Sequence, residues 1–220
     1  MDYIKYEIWK RRSALEFLTI ALSKGRILGE TMELFNRIKM HFDNVSEDSR
    51  KLVFEFKDYD MRLILSKPTD VPTFVEHGVA DLGVAGKDVL LEDRKDVFEL
   101  LDLKLARCRM VVAVPEDRAP GVPIYRVATK YPHIAESFFL KKAQPVEIIK
   151  LNGSVELGPL LGLSDAIVDI VATGHTLREN HLKVEEVICP ISARLIANQV
   201  SFRLKSGQIQ ELLGKIKAVV

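Results

Sequence analysis

From position 17 onward, short apolar runs alternate with longer stretches in which apolar residues recur every three or four positions. The short runs fit buried strands and the longer stretches fit amphipathic helices. Their alternation predicts α/β architecture with mainly parallel sheets. FLTIAL predicts a strand, and ILGETMELFNRIKM a helix with Leu28, Met32, Phe35 and Ile38 on its inner face. LVFEF and MRLIL form a hairpin pattern around KDYD. DVPTFVEHG predicts a short helix with Asp70 as N-cap and Gly78 as its stop, and ADLGVAG the strand after it.

LLDLKLA and RMVVAVP are further strands, and the second runs into EDRAPGVP, the most linker-like segment of the chain. A second series follows: strand YRVAT, helix HIAESFFLKKA, strand VEIIK, helix VELGPLLG and strand AIVDIV. The remaining VEEVICPI, ARLIAN and helical QIQELLGKIKAV have no obvious place in that series. The expected organisation is an N-terminal extension over 1–16, a first lobe over 17–114 plus 190–220, and a second lobe over 115–189. Two such lobes would place a ligand cleft between them. Within the extension, Ile4, Ile8 and Leu15 share roughly one helical face, so it reads either as a frayed terminus or as a docking helix.

Composition narrows the class. A 220-residue chain with 47% hydrophobic and 29% charged residues has the makeup of a soluble globular protein. A net charge of +1 argues against a broad nucleic-acid-binding surface, although a local basic pocket is compatible with it. Cys108 and Cys189 show no metal-ligand spacing and read as buried, reduced thiols. No run is long and apolar enough to span a bilayer, and the N-terminus lacks a secretory pattern, so the cytoplasm is the expected location.

The chemistry concentrates in DAIVDIVATGHTLREN, where Asp169 interrupts an apolar run that then turns through Thr173, Gly174, His175 and Thr176. A strand that opens a helix through a small-residue turn aims unpaired backbone N–H groups at one point, and a phosphate fits there. Gly174 permits close approach, Thr173 and Thr176 add hydroxyls, and Asp169 suits the vicinal hydroxyls of an attached ribose. The same T-G-x-T pattern is also an ordinary helix entry with Thr173 as N-cap. Neither a P-loop nor a dinucleotide fingerprint is present.

DIVATGHTL resembles the phosphoribosyl-pyrophosphate loop of the ATP phosphoribosyltransferases, the first enzymes of histidine biosynthesis. ALSKGR, DVPTFVEHGVADLGVAGKDVLLE, RVATKYP and KLNGSVELGPLLGLSDAIVDIV also resemble segments of that family and occur in its order. The resemblance implies a reaction joining N1 of the adenine of ATP to C1 of phosphoribosyl pyrophosphate, with release of pyrophosphate. It implies Mg²⁺ as cofactor, and cations and backbone donors rather than a catalytic triad. Arg26 and Arg50 would be catalytic. Asp169, Thr173, Gly174, His175, Thr176, Leu177 and Glu156 would bind phosphoribosyl pyrophosphate, with His175 serving through its backbone N–H rather than its ring. Lys24, Gly25, Lys67, Asp70, Ala85, Gly86 and Lys87 would line the ATP side. Ala172 stands where the family often has an acidic residue, leaving Asp169 as the main carboxylate for the ribose.

The chain ends shortly after QIQELLGKIKAV and so resembles the short form of the family. That form implies a homodimer inside a hetero-oligomer with a regulatory subunit similar to histidyl-tRNA synthetase. The implied fold is similar to that of periplasmic solute-binding proteins, with the active site in the inter-lobe cleft. Two other readings stand beside this one: a cytoplasmic two-lobed protein binding a phosphorylated ligand, and a phosphoribosyltransferase for another base.

Overall fold

The computed structural model describes residues 17–220. The helical face expected over 1–16 lies outside the described residues. The chain divides into two compact units. The first holds the described residues through Leu90, then Lys95–Ala106 and Ser192–Val220; the second holds Leu91–Arg94 and Arg107–Ile191.

In chain order, the first unit opens with β1 (Leu18–Ser23), α1 (Arg26–Arg37), β2 (Val53–Phe56), β3 (Met61–Ser66), α2 (Val71–Glu76) and β4 (Leu82–Gly86). It continues through the start of α3 (Lys87–Asp93) and through β5 (Phe98–Asp102). The second unit contains β6 (Cys108–Pro115), β7 (Arg126–Thr129), α4 (Pro132–Lys141), β8 (Glu147–Lys150), α5 (Leu157–Leu160), β9 (Ala166–Val171), α6 (His175–Glu179) and β10 (Leu182–Ile191). The chain then returns to the first unit as β11 (Ala193–Ala197), α7 (Gln199–Leu204) and α8 (Ser206–Lys217).

The α/β class is as expected, but the sheets are mixed rather than mainly parallel, because β11 in the first and β6 in the second run antiparallel to both neighbours. The first has the order β2-β3-β1-β4-β11-β5, with β3, β1 and β4 mutually parallel and the outer pairings antiparallel. Helix α1 buries Leu28, Thr31, Leu34 and Phe35, a stripe at helical spacing, while Met32 and Ile38 pack at its margin. Burying a Leu or Phe side chain is worth about 1.5–3 kcal/mol, more than the intrinsic propensity of any residue in the helix. Ile209, Leu212, Leu213 and Ile216 of α8 join that core, and Val71 and Val75 of α2 pack with Ala21 and Ile196 in a separate cluster.

Helix α2 stops as expected: Gly78 takes φ +68°, and the N–H groups of Gly78 and Val79 bond the carbonyls of Val75 and Phe74. Its start differs in part from expectation. Asp70 holds the N-cap position as expected, but it ends a preceding 3₁₀ turn in αR geometry and its side chain makes no capping bond.

The second sheet has the order β10-β6-β9-β7-β8. Strand β6 is flanked by β10 and β9, and alternate residues bury on both faces: Met110, Val112 and Val114 in one cluster, Val111 and Ala113 in another. This changes the expected division of the chain. The boundary near 114 lies after β6, but β6 is an interior strand of the second sheet, so the crossing falls at 106/107. EDRAPGVP is a loop between β6 and β7 within that unit rather than a link between units. Cys108 and Cys189 are half-buried, not fully buried, at the edge of the first of those clusters.

Strand β9, which carries Asp169, is fastened at its start by Asp165. The Asp165 carboxylate accepts the backbone N–H groups of Tyr125 and Arg126 at 2.9 and 2.8 Å. Partial burial opposes its ionised form, but the two N–H donors and nearby Arg126 outweigh this and hold its pKa below the ordinary carboxylate value.

Candidate functional site

The candidate residues of the first unit share one edge of one sheet. Because β3, β1 and β4 are parallel neighbours, their carboxyl ends lie side by side, the edge at which open α/β sheets bind ligands. Lys67 and Asp70 follow β3, Lys24, Gly25 and Arg26 follow β1, and Ala85, Gly86 and Lys87 close β4 and open α3. The Lys24 N–H bonds the Ser66 carbonyl at 3.0 Å, tying the first two turns together.

Gly25 precedes α1 with φ 95° and ψ −160°, a backbone region open essentially to glycine alone. No side chain caps the helix and no acidic residue occupies its first turn. Instead, Lys24 and Arg26 flank its positive end, an arrangement that costs about 0.3–1 kcal/mol per charge unless an anion is present. An anion at the turn would relieve that electrostatic mismatch.

Side-chain partners refine the assignments. Lys24 Nζ donates to the carbonyls of Glu47 and Ser49 at 3.1 and 2.8 Å, which leaves one ammonium hydrogen for a ligand. Lys24 therefore fastens the loop that carries exposed Arg50 to the end of β1. Arg26 Nη2 donates to the Ala106 carbonyl at 2.8 Å, and its Nε lies 3.6 Å from Glu30. Lys67 and Asp70 are exposed.

Two expectations at β4 change. A Cβ on Gly86 would meet Asp88 Oδ1 at 2.2 Å, so its missing side chain makes room for the buried Asp88 carboxylate rather than for a ligand. Ala85 is fully buried and can offer only its backbone. Lys87 Nζ pairs with Glu99 at 2.5 Å, and Glu99 also pairs with Arg194 at 3.4 Å.

In the second unit, Glu156, Asp169 and the turn from Ala172 to Leu177 line one cavity of about 260 Å³. Gly174, at φ 76°, is the N-cap of α6, so the N-cap reading of Thr173 does not hold. Thr173 Oγ1 accepts only a long 3.4 Å bond from the His175 N–H. Asp169 is half-buried and accepts the Ile170 N–H at 2.8 Å. Glu156, 13 residues earlier in the chain, is brought to the same cavity because it immediately precedes α5. The His175 ring is exposed, 3.9 Å from Glu179. Leu177 is 4% exposed and belongs to the core, so only its backbone can serve a ligand.

One basic residue here escaped the sequence reading. Arg178 Nη1 reaches back to the Thr173 carbonyl at 3.3 Å, placing a guanidinium on the turn. The available signal was its position one helical turn after Gly174.

These basic and hydroxyl-rich strand ends define an α/β protein with a glycine-bearing strand-to-helix turn in each of two units. Comparison with known proteins narrows that class. The family model "HisG: ATP phosphoribosyltransferase" matches residues 67–218. An ATP phosphoribosyltransferase of Geobacillus kaustophilus is 52% identical over 203 residues, covering 92% of this chain and 98% of the relative. The structure of the "ATP phosphoribosyl transferase (HisG:HisZ) complex" from Thermotoga maritima superposes with TM-score 0.79 at 36% identity, covering 92% of this chain and 98% of that one. The periplasmic VFT2 domain of Bordetella pertussis BvgS shares the fold alone, with TM-score 0.58 at 11% identity over 100% of this chain and 94% of that domain. The chain belongs to the HisG family of ATP phosphoribosyltransferases.

Proposed function

We propose that this chain transfers the phosphoribosyl group of phosphoribosyl pyrophosphate to N1 of ATP, releasing pyrophosphate, as the first step of histidine biosynthesis. The observation that supports it most directly is the cavity in which Asp169 and Glu156 meet the hydroxyl-rich entry of α6. Turn N–H groups and the Thr173 and Thr176 hydroxyls bind the 5-phosphate, and Asp169 accepts from the ribose hydroxyls. The strand-end turns of the first unit hold ATP, with Lys24, Lys67, Asp70 and Lys87 around it. Arg26 and Arg50 meet the charge that develops as pyrophosphate departs.

The N1 lone pair forms the new bond to C1 as the C1–O bond breaks, and that electron pair leaves on pyrophosphate. N1 carries no proton, so the bond-forming step needs no general base. The task of the protein is to gather two polyanions and stabilise the departing one in a preorganised field. Among the described residues no group of three or more His, Cys, Asp and Glu side chains is placed to hold a metal ion. Two carboxylates in one cavity instead fit a Mg²⁺ that takes most of its ligands from substrate oxygens, with Asp169 and Glu156 beside it. When bound, the ion neutralises charge on the pyrophosphate.

Asp169→Asn is expected to raise KM for phosphoribosyl pyrophosphate by roughly 10-fold or more, the scale of a hydrogen bond to a charged group, with KM for ATP little changed. An unchanged KM for phosphoribosyl pyrophosphate would remove Asp169 from the sugar site.

A homodimer assembled with a HisZ-type regulatory subunit, resembling histidyl-tRNA synthetase, fits this reading. So does a cytoplasmic location, and among the described residues no helix is long and apolar enough to cross a membrane. The deciding measurement is formation of phosphoribosyl-ATP and pyrophosphate by the purified chain with ATP, phosphoribosyl pyrophosphate and Mg²⁺, without and then with histidine. Turnover insensitive to histidine is expected. Absence of both turnover and saturable substrate binding would overturn the transferase reading in favour of a solute-binding role.

A further inference from the structure

We propose that Glu30 is a positioning residue for Arg26, an inference that rests on the role given to Arg26 above. Glu30 lies one helical turn after Arg26 on α1, and its side chain is about one-third exposed. Its Oε2 accepts the Ala106 N–H at 2.6 Å, while Arg26 Nη2 donates to the Ala106 carbonyl at 2.8 Å. The Arg26 Nε lies 3.6 Å from Glu30 Oε1 and closes the ring. The N–H and C=O of a single residue are thus held by two side chains of one helix.

An isolated (i, i+4) pair at the surface is worth only a few tenths of a kcal/mol, so ion pairing by itself gives little reason for a carboxylate here. It also opposes ligand binding, because a negative charge beside a polyanion site weakens attraction for the anion. What it supplies is geometry. Ala106 is the last residue of the first unit before the chain crosses at 106/107, and it takes φ 49°, a left-handed conformation that alanine adopts only when its surroundings impose it. The Glu30 carboxylate fixes that peptide by a charge-assisted bond, and the fixed carbonyl sets the direction of the Arg26 guanidinium. Four side-chain torsions of Arg26 are thereby ordered before substrate arrives, which is the preorganisation an electrostatic catalyst requires.

The test is a double-mutant cycle in the full chain, in whichever assembly turns over in the assay above. Glu30→Ala is expected to lower kcat roughly 10-fold, with KM for ATP changed less than about 2-fold, as for loss of an interaction felt in the transition state. Glu30→Gln, which keeps an oxygen acceptor for the Ala106 N–H, is expected to recover part of that loss. In an Arg26→Ala background, Glu30→Ala should cost nothing further, since coupled residues are not additive. A slow Arg26→Ala enzyme in which Glu30→Ala still costs a full 10-fold would overturn this inference and leave the site reading intact. An Arg26→Ala enzyme with undiminished turnover would overturn both. Equal losses in both backgrounds that track thermal stability would make Glu30 a support of α1 only.

Discussion

Arg26→Ala is expected to lower kcat by about 100-fold or more, the scale seen when a preorganised donor to developing charge is removed. The residue opens α1 at the carboxyl end of β1, where the helix dipole and Lys24 already repel a cation. Its charge there is only partly offset by Glu30, 3.6 Å away, and favours a bound polyanion. Stability should change little, because the side chain is half-exposed and alanine is the better helix former. Arg26→Lys keeps the charge but loses the two-pronged donor, so an intermediate kcat is expected. Steady-state kinetics with both substrates saturating checks this, and a kcat within about 3-fold of the parent would remove Arg26 from the chemistry.

The largest stability effect is expected at the opposite, amino edge of the same sheet. Lys205→Met should destabilise the protein by about 3–5 kcal/mol, because it strips the cation from a buried pair and leaves the carboxylate behind. Asp81 and Lys205 side chains are 8% and 11% exposed, with Nζ and Oδ2 2.7 Å apart. Asp81 also accepts the Thr19 N–H at 2.8 Å, and Lys205 donates to the Phe17 carbonyl at 2.7 Å. One pair therefore joins the start of β1, the approach to β4 and the junction of α7 with α8. At a urea dependence of about 1–3 kcal/mol per molar, the unfolding midpoint should fall by about 1 M or more. Because the pair lies away from the carboxyl-end turns, kcat of the folded fraction should be unchanged. A second substitution, Asp81→Asn, should recover part of the loss by removing the stranded charge. A midpoint shift below about 0.3 M for Lys205→Met would show that the pair contributes no more than a surface contact.

A second bridge in the same unit was also not readable from local pattern. Asn198 accepts the N–H groups of Val200 and Ser201 at the start of α7 and donates to the carbonyls of Val75 and Glu76 at the end of α2. Its capping half is implied by an Asn before a helical stretch, yet α7 was not anticipated because QVSFRL is too short to show periodicity. Its donating half depends on a helix more than 100 residues earlier in the chain.

What the amino-acid sequence determined by itself was local. Apolar period marked most strands and helices within a few residues, Gly78 marked the end of α2, and the Asp169-to-Leu177 stretch was recognisable as a strand that carries an acid and opens a helix through a glycine turn. Those features are set by backbone sterics and side-chain spacing over fewer than a dozen residues, so a linear reading can reach them. Tertiary structure decided which partners those residues meet. RMVVAVP, standing before the linker-like EDRAPGVP, reads as the last strand of the first unit, and only its pairing with β9 and β10 assigns it to the second. Lys24 reads only as a phosphate ligand until Glu47 and Ser49 are brought to it and make it also the tie of the Arg50 loop, and Gly86 reads as a ligand-approach glycine until Asp88 fills the space beside it. Leu177 stands inside the recognised turn, yet its side chain belongs to the core beneath. Strand pairing and side-chain hydrogen bonds are short-ranged in space but unrestricted in sequence separation, and that is why the turns could be found from the chain alone and the Arg26–Glu30–Ala106 ring could not.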